Sequence, residues 1–270
     1  MPEAFYIYCL GEEGELSPLF DEKLIEAIEP GTKLQLIAAD ALAAVASVVP
    51  LADYGEEGFQ ARLAEPAWVA ARAMRHERVL EHFASRASVI PLRFGAIYLK
   101  RARVEEMLHE RAAELRSFIK RLRGKEEWGV NLFCDRAQLL EQIASLSPAL
   151  REINERAAKA SAGQAYLLRK KVDAQRADEA RAEVRRVAGE LERKLSAESD
   201  GVVRLRLRQA ETAEHGDLAA KLAFLVEREG FKDFRAAAEE LAAHYASAGF
   251  RLELTGPWPA YNFVAESEVR

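Results

Sequence analysis

Leu254-Thr255-Gly256-Pro257-Trp258-Pro259-Ala260-Tyr261-Asn262-Phe263-Val264 reads as a strand end, a break and a stiff aromatic tail. Gly256 permits a sharp turn. Pro257 and Pro259 fix φ and cannot donate to a sheet ladder. Trp258, Tyr261 and Phe263 each offer roughly 150–250 Å² of largely apolar surface. At roughly 25 cal/mol per Å², burying all three contributes on the order of 10 kcal/mol before entropy is subtracted. A tail this apolar is expected to pack between the chain's own domains or on a partner. It carries no catalytic chemistry.

Working back from the tail, residues 250–254 alternate apolar and polar and read as a strand. Residues 231–245 form an amphipathic helix, and Gly249 follows as its stop. The run 222–226 (LAFLV) is a fully apolar strand, and His215-Gly216-Asp217 before it is turn chemistry. Residues 202–207 alternate apolar residues with Arg, as a half-buried strand does. Further back, 128–134 (WGVNLFC) is a strand, 136–146 is helical, and Ser147-Pro148 can restart a helix. From Ala149 to about Leu195 the chain is rich in Ala, Arg, Glu and Lys. A thin apolar stripe runs through Ile153, Leu167, Leu168, Val172, Val184, Val187, Leu191 and Leu195. This excursion packs as a hairpin or projects as an arm. The order β-α-(long insert)-β-β-α-β is the split βαβ pattern of a ferredoxin-like domain.

The first half is expected to be a separate α+β domain. Residues 4–10 (AFYIYCL) read as a buried strand, 33–39 and 43–49 as two more, with Asp40-Ala41 at a turn between them. Residues 21–28 suit a short helix, and 51–65 look irregular because of Gly55 and Gly58. Pro66 fits a first helical position, followed by a face of Val69, Ala73, Met74, Val79, Leu80 and Phe83. Residues 89–99 (VIPLRFGAIYL) are strand-like but broken at Pro91 and Gly95. A helix over 104–122 presents Met107, Leu108, Leu115, Ile119 and Leu122, and Gly124 closes it. The expected architecture is therefore α+β in two domains: 1–124, a ferredoxin-like 125–256 with a helical insertion at about 149–195, and a tail over 257–270.

The chain has 270 residues, 49% hydrophobic and 31% charged, with 39 Lys+Arg against 44 Asp+Glu and a formal net charge of −5. That balance does not favour nucleic acid as a partner. Cys9 and Cys134 sit alone in apolar runs and read as buried, inert thiols of a cytoplasmic protein. The N-terminus lacks the basic region of a signal peptide, and no apolar stretch approaches the ~20 residues of a spanning helix, so membrane insertion is not expected.

No glycine-rich phosphate loop, dinucleotide fingerprint or nucleophile elbow occurs in the sequence. His76 and His82 lie six apart and do not share a helix face, so they read as solvated or capping residues. Glu126-Glu127 reads as a solvated pair, since adjacent carboxylates do not usually face each other. Arg93 is the odd polar residue of an apolar run. It reads as an internal ion pair tying a strand to a helix, or as a contact for an anion or a partner's carboxylate. Arg93-Phe94-Gly95-Ala96-Ile97-Tyr98 faintly echoes an RNA-recognition strand but lacks its first glycine. No catalytic, cofactor-binding or metal-ligating residue is assigned.

Five blocks occur in order: Tyr6-Ile7-Tyr8; His76-Glu77-Arg78-Val79-Leu80; Val89-Ile90-Pro91-Leu92-Arg93-Phe94-Gly95; Glu127-Trp128-Gly129-Val130; and Thr255-Gly256-Pro257-Trp258-Pro259-Ala260-Tyr261-Asn262-Phe263. Together they resemble the GvpF/GvpL family of gas vesicle proteins along nearly the whole chain. Departures are Ala96-Ile97-Tyr98, where the family often has Thr before apolar residues, and Asn131, where Lys is common. The resemblance implies a two-domain α+β protein whose second domain is ferredoxin-like with extra helices, and whose C-terminal tail packs the two domains together. It implies a non-enzymatic assembly factor at the gas vesicle that binds the small hydrophobic shell protein and other accessory proteins, with no cofactor. The alternatives are a minor structural component within the vesicle, or an enzyme using the ferredoxin-like domain. Arg93, Trp128, Trp258, Tyr261 and Phe263 are the structural and interaction candidates.

Overall fold

A computed structural model describes residues 3–20, 26–207, 212–213 and 216–264. The chain divides into two compact units, Met1–Glu127 with Trp258–Arg270, and Trp128–Pro257. Among the described residues each holds one five-stranded sheet with helices, so the fold is mixed α+β. The sequence expectation over 21–28 falls mostly, and that at His215 wholly, outside the described residues.

In the first unit, strand β1 (Glu3–Glu12) is central and almost fully buried, as its unbroken apolar run demands. Helix α1 (Glu13–Leu16) follows it. Strands β2 (Leu34–Ala39) and β3 (Leu42–Pro50) form a hairpin with Ala39 opposite Leu42. Its two-residue turn, Asp40-Ala41, has φ of 52° and 61°. Left-handed values at both positions match the twist of the flanking strands. Strand β3 then pairs antiparallel with β1.

Residues 51–65 are not irregular. They form α2 (Leu51–Tyr54) and α3 (Glu56–Leu63). Gly58 holds the two together, because a Cβ there would run into the carbonyl oxygen of Ala52. Helix α4 (Pro66–Ala84) starts at its proline, as expected. Its buried line, however, is Trp68, His76, Val79, Leu80 and Phe83, whereas Met74 is 59% exposed. Trp68 and His76 sit eight apart and so share a face that Met74 cannot reach.

Strands β4 (Ile90–Pro91) and β5 (Ile97–Tyr98) both pair antiparallel with β1, giving the order β2-β3-β1-β4 with β5 also on β1. Leu92 N–H donates to the Tyr8 carbonyl and Ile7 N–H to that of Ala96, each at 2.9 Å. Arg93-Phe94-Gly95 therefore loops out between two ends of one interrupted edge strand. Gly95, at φ 97°, makes that loop possible. The helix expected over 104–122 is two helices, α5 (Arg101–Glu110) and α6 (Ala112–Leu122), broken at Arg111. Met107, Leu108, Leu115, Ile119 and Leu122 are all buried as read. Gly124, at φ 72°, follows α6.

The second unit opens in strand β6 (Lys125–Cys134). Helix α7 (Arg136–Leu146) is capped by Asp135, whose side chain accepts from Gln138 N–H. Ser147 does the same for α8 (Pro148–Ala158), accepting from Leu150 N–H. Then comes α9 (Ala162–Ser196), thirty-five residues long. The excursion is a packed hairpin. Leu150 and Ile153 of α8 join Val172, Val187, Leu191 and Leu195 of α9 in one core. Leu167 leaves the stripe and is 67% exposed. Neighbouring helical positions lie about 100° apart, and Leu168 takes the inward one.

Strands β7 (Gly201–Arg204), β8 (Thr212–Ala213) and β9 (Gly216–Glu227) precede α10 (Phe231–Ala246) and β10 (Phe250–Trp258). The sheet order is β10-β6-β9-β7, with β8 also on β9. Strand β10 does not break after Leu254. It runs through a cis Gly256–Pro257 bond to Trp258. As a sheet-edge strand it tolerates a residue without an N–H. Phe234, Ala238, Leu241 and Tyr245 of α10 lie in the same core as Phe224 of β9. Cys9 and Cys134 are free and buried, and burial pushes the Cys134 thiol up to about 11. Among the described residues, no helix is long and apolar enough to cross a membrane.

Candidate functional site

A buried polar cluster lies in the first unit, inside its aromatic core. Residues i and i+2 of a strand share a face, so β1 offers Tyr6 and Tyr8 together. Helix α4 brings His76 against them. The Tyr8 and His76 rings stack at 5.8 Å, while Tyr6 meets His76 edge-on at 5.6 Å and Tyr8 at 5.0 Å. The short 3-10 turn Tyr261–Phe263 supplies Tyr261 and Asn262, and the start of β6 supplies Glu127.

The hydrogen bonds form a directed chain. Gly95 N–H donates to the Tyr6 hydroxyl at 3.2 Å. Tyr6 O–H lies 2.8 Å from His76 Nδ1, and His76 Nε2 lies 3.2 Å from the Tyr261 hydroxyl. Tyr261 O–H donates to Glu77 Oε1 at 3.1 Å. One arrangement satisfies every step: a neutral His76 protonated on Nε2, accepting from Tyr6 at Nδ1. Burial favours the same state, holding the His76 pKa down at about 4. Burial also pushes up the Tyr6 and Tyr261 hydroxyls and the Glu77 carboxyl.

Asn262 makes a second fastening. Its backbone N–H donates to Glu127 Oε2 at 2.9 Å and its amide Nδ2 to Oε1 at 2.5 Å. Glu127 is only 3% exposed, so the solvated Glu126-Glu127 pair read from the sequence is corrected. Burial raises the Glu127 pKa, and the two Asn262 bonds work against that rise. The Phe263 carbonyl accepts from Arg121. Nearby, Tyr8 bonds Ser47 at 2.8 Å, and Arg72 clasps Glu29 with two bonds of 3.0 Å. Such bidentate pairs fix geometry strongly.

This cluster fastens the tail; its polar groups face one another. Replacing Asn262 by alanine removes a bond to a buried carboxylate and should cost about 1–3 kcal/mol. Hydrogen exchange should show the loss around residues 260–264. Unchanged exchange there would refute the fastening role.

The five candidate residues are not gathered at one place. Tyr261 sits in the cluster, and Phe263 closes the same turn. Arg93 is exposed in the loop between β4 and β5, and its charge is felt by Tyr261. Trp128 stacks on Phe231 at 4.0 Å in the second unit. Trp258 is 52% exposed, so the packing expected of the tail leaves about half of this side chain in solvent. Sequence reading missed Tyr6, His76, Glu127 and Asn262 as a group. From the sequence His76 reads as a solvated or capping histidine, yet it is 1% exposed. Its position on the buried line of α4 was the available signal. Among the described residues, no three of His, Cys, Asp and Glu gather as metal ligands would.

Comparison with known proteins draws these blocks together. The family model for the gas vesicle synthesis protein GvpL/GvpF matches residues 4–265. The chain is 29% identical to gas vesicle protein L of Streptomyces sp. (strain CB03234) over 248 residues, covering 88% of this chain and 86% of that protein. It is 27% identical to gas vesicle protein F of the same strain, covering 96% and 98%. Its fold is similar to the crystal structure of GvpF from Anabaena sp. PCC7120, with a TM-score of 0.67 at 17% identity, covering 97% of this chain and 96% of that one. A second likeness is to GvpF from Microcystis aeruginosa, with a TM-score of 0.64 at 16% identity, covering 96% and 98%.

Proposed function

Because the chain belongs to the gas vesicle synthesis protein GvpL/GvpF family, and so has a role in gas vesicle formation, we propose that it is a non-enzymatic assembly factor that binds the apolar shell subunit. The family match over residues 4–265 carries this reading. In it, the protein works in the cytoplasm at the growing vesicle and also contacts other gas vesicle proteins. An apolar shell subunit released alone would aggregate, and a folded partner can cover it with a groove or a sheet edge.

The ferredoxin-like reading of the second domain belongs to the same proposal. The sheet order β10-β6-β9-β7, with α7–α9 after the first strand and α10 before the last, supports it. The limits 1–124 and 125–256, with a tail from 257, are part of the same proposal. Tyr261 and Phe263 are assigned to holding the tail and Trp128 to packing against α10. Arg93 and Trp258, both exposed, are the contact candidates.

The direct test is co-purification of the full chain with the shell protein. Retention of the shell protein in soluble form is the expected result. If neither the shell protein nor any accessory gas vesicle protein is retained, the reading fails. Stripping intact vesicles with urea and probing for the chain separates a transient factor from an incorporated component.

A further inference from the structure

Two concavities of the second unit, of about 330 and 280 Å³, meet at Arg185 and Ala219, which line both. They adjoin along α9 and β9, one walled also by Arg204, Leu205 and Leu207 and the other by Arg136 and Leu139 of α7, and together form a trough. Its α9 wall runs from Ala177 through Val184 and Ala188 to Glu192. These positions recur at three- and four-residue steps, so they are one helix face. At 1.5 Å per residue, that wall is roughly 22 Å long, about four helical turns.

The floor is apolar and low. Ala180 and Ala188 from α9 and Ala219 and Ala220 from β9 lie along it. Small side chains let another backbone approach closely. The rim is basic, with Arg136, Arg181, Arg185, Arg204 and Lys221 against Glu192 and Asp217. Arg204 is taken by Glu192 at 2.6 Å, and Arg181 pairs with Asp178. Arg136, Arg185 and Lys221 have no carboxylate at ion-pair distance among the described residues. In a chain of net charge −5, unneutralised cations around an apolar floor are a local inversion.

We propose that this trough docks an acidic amphipathic helix of another protein, about four turns long. Its apolar side lies on the alanine floor and its carboxylates meet Arg136, Arg185 and Lys221. Nucleic acid fits less well, because among the described residues no aromatic side chain lines the trough for bases to stack on. The proposal rests on the trough alone and not on shell-protein binding.

The test uses the full chain and a fluorescein-labelled helical peptide of about four turns, glutamate on one side and alanine and leucine on the other. Its lysine counterpart and a thymidine oligonucleotide of similar charge are the controls. The glutamate peptide should bind, weaken with added salt, and lose about tenfold in affinity with Arg185→Glu combined with Lys221→Glu. Both changes are at the rim, and Ala177→Glu, at an exposed position, should weaken binding without disturbing the core. No peptide binding, equal binding of the lysine peptide, tighter binding of the oligonucleotide, or indifference to all three substitutions overturns the proposal. A wild-type dimer that the double reversal dissociates would give the trough to a second copy and also overturn it. Because the probe is not a gas vesicle protein, failure here leaves the co-purification test standing, and the reverse holds too.

Discussion

Replacing Phe234 by alanine should cost about 3–5 kcal/mol, the usual range for emptying a buried aromatic site. Phe234 is fully buried in the second unit, with its ring 5.3 Å from that of Phe224. It lies where α10 meets β9, in the same cluster as Val187, Leu191 and Leu195 of α9. Helix and strand cannot collapse into the space without giving up their contacts with α9, so most of the cavity should persist. Domains are stable by only about 5–15 kcal/mol, so this is a large share of the total. Amides of β9 and β6 should lose exchange protection first. Phe231→Ala is the control: its ring stacks on Trp128 at 4.0 Å but is only partly buried, so it should cost less. A loss below about 1 kcal/mol for Phe234→Ala would show that α10 is not integral to this core.

What the sequence disclosed depended on whether the signal was local. Strand β1, the β2–β3 hairpin, α7 and α10 each carried their own periodicity or punctuation and appear close to the limits read, and α8 starts where Ser147-Pro148 places a helix start. Ser147-Pro148 is the clearest case, because cap and first helical residue are adjacent. Residues 51–65 misled because two glycines suggested disorder of form. One of them, Gly58, is there to let two helices touch, which no local pattern reveals. The helix over 104–122 was right in its buried face and wrong in its continuity, since the break at Arg111 interrupts the backbone without shifting the apolar face.

The polar cluster was the least legible part. His76, Glu127 and Asn262 are ordinary polar residues in their own segments. They become hydrogen-bonded partners of the cluster only when β1, α4, the start of β6 and the tail come together, across up to 185 positions of sequence. Apolar patterning also mispriced Trp258. Its size argued for burial, yet it ends an edge strand and stays half in solvent. The motif blocks were informative as a set for a related reason. Tyr6, Tyr8, His76, Glu77, Gly95, Glu127, Tyr261 and Asn262, scattered over five blocks, are joined in or around the cluster by hydrogen bonds and ring contacts.

Protonation of His76 should make the first unit acid-sensitive in a defined window. Folding holds its pKa at about 4 against an ordinary 6.5, chiefly through burial. Above 6.5 both folded and unfolded chains carry a neutral His76, and its contribution is fully present. Between 6.5 and 4 the unfolded chain binds the proton that the folded chain refuses, so stability falls as pH falls. Below 4 both are protonated and the loss levels off, at about 3 kcal/mol for a gap of this size. The chemistry agrees with the sign. A proton on Nδ1 would face the Tyr6 hydroxyl, which already receives Gly95 N–H and would lose its own acceptor. Glu77 and Glu127 act in the opposite direction, because burial raises both and a raised carboxyl loses stability as pH rises. The His76 share is isolated by comparing the wild type with His76→Gln, which keeps an amide in place of the imidazole but does not titrate. The variant's unfolding free energy should be flatter than the wild type's between pH 4 and 6.5, whatever its absolute value. Parallel curves across that window would mean that His76 is not held neutral by the fold, and the directed chain from Gly95 to Glu77 would then be wrong.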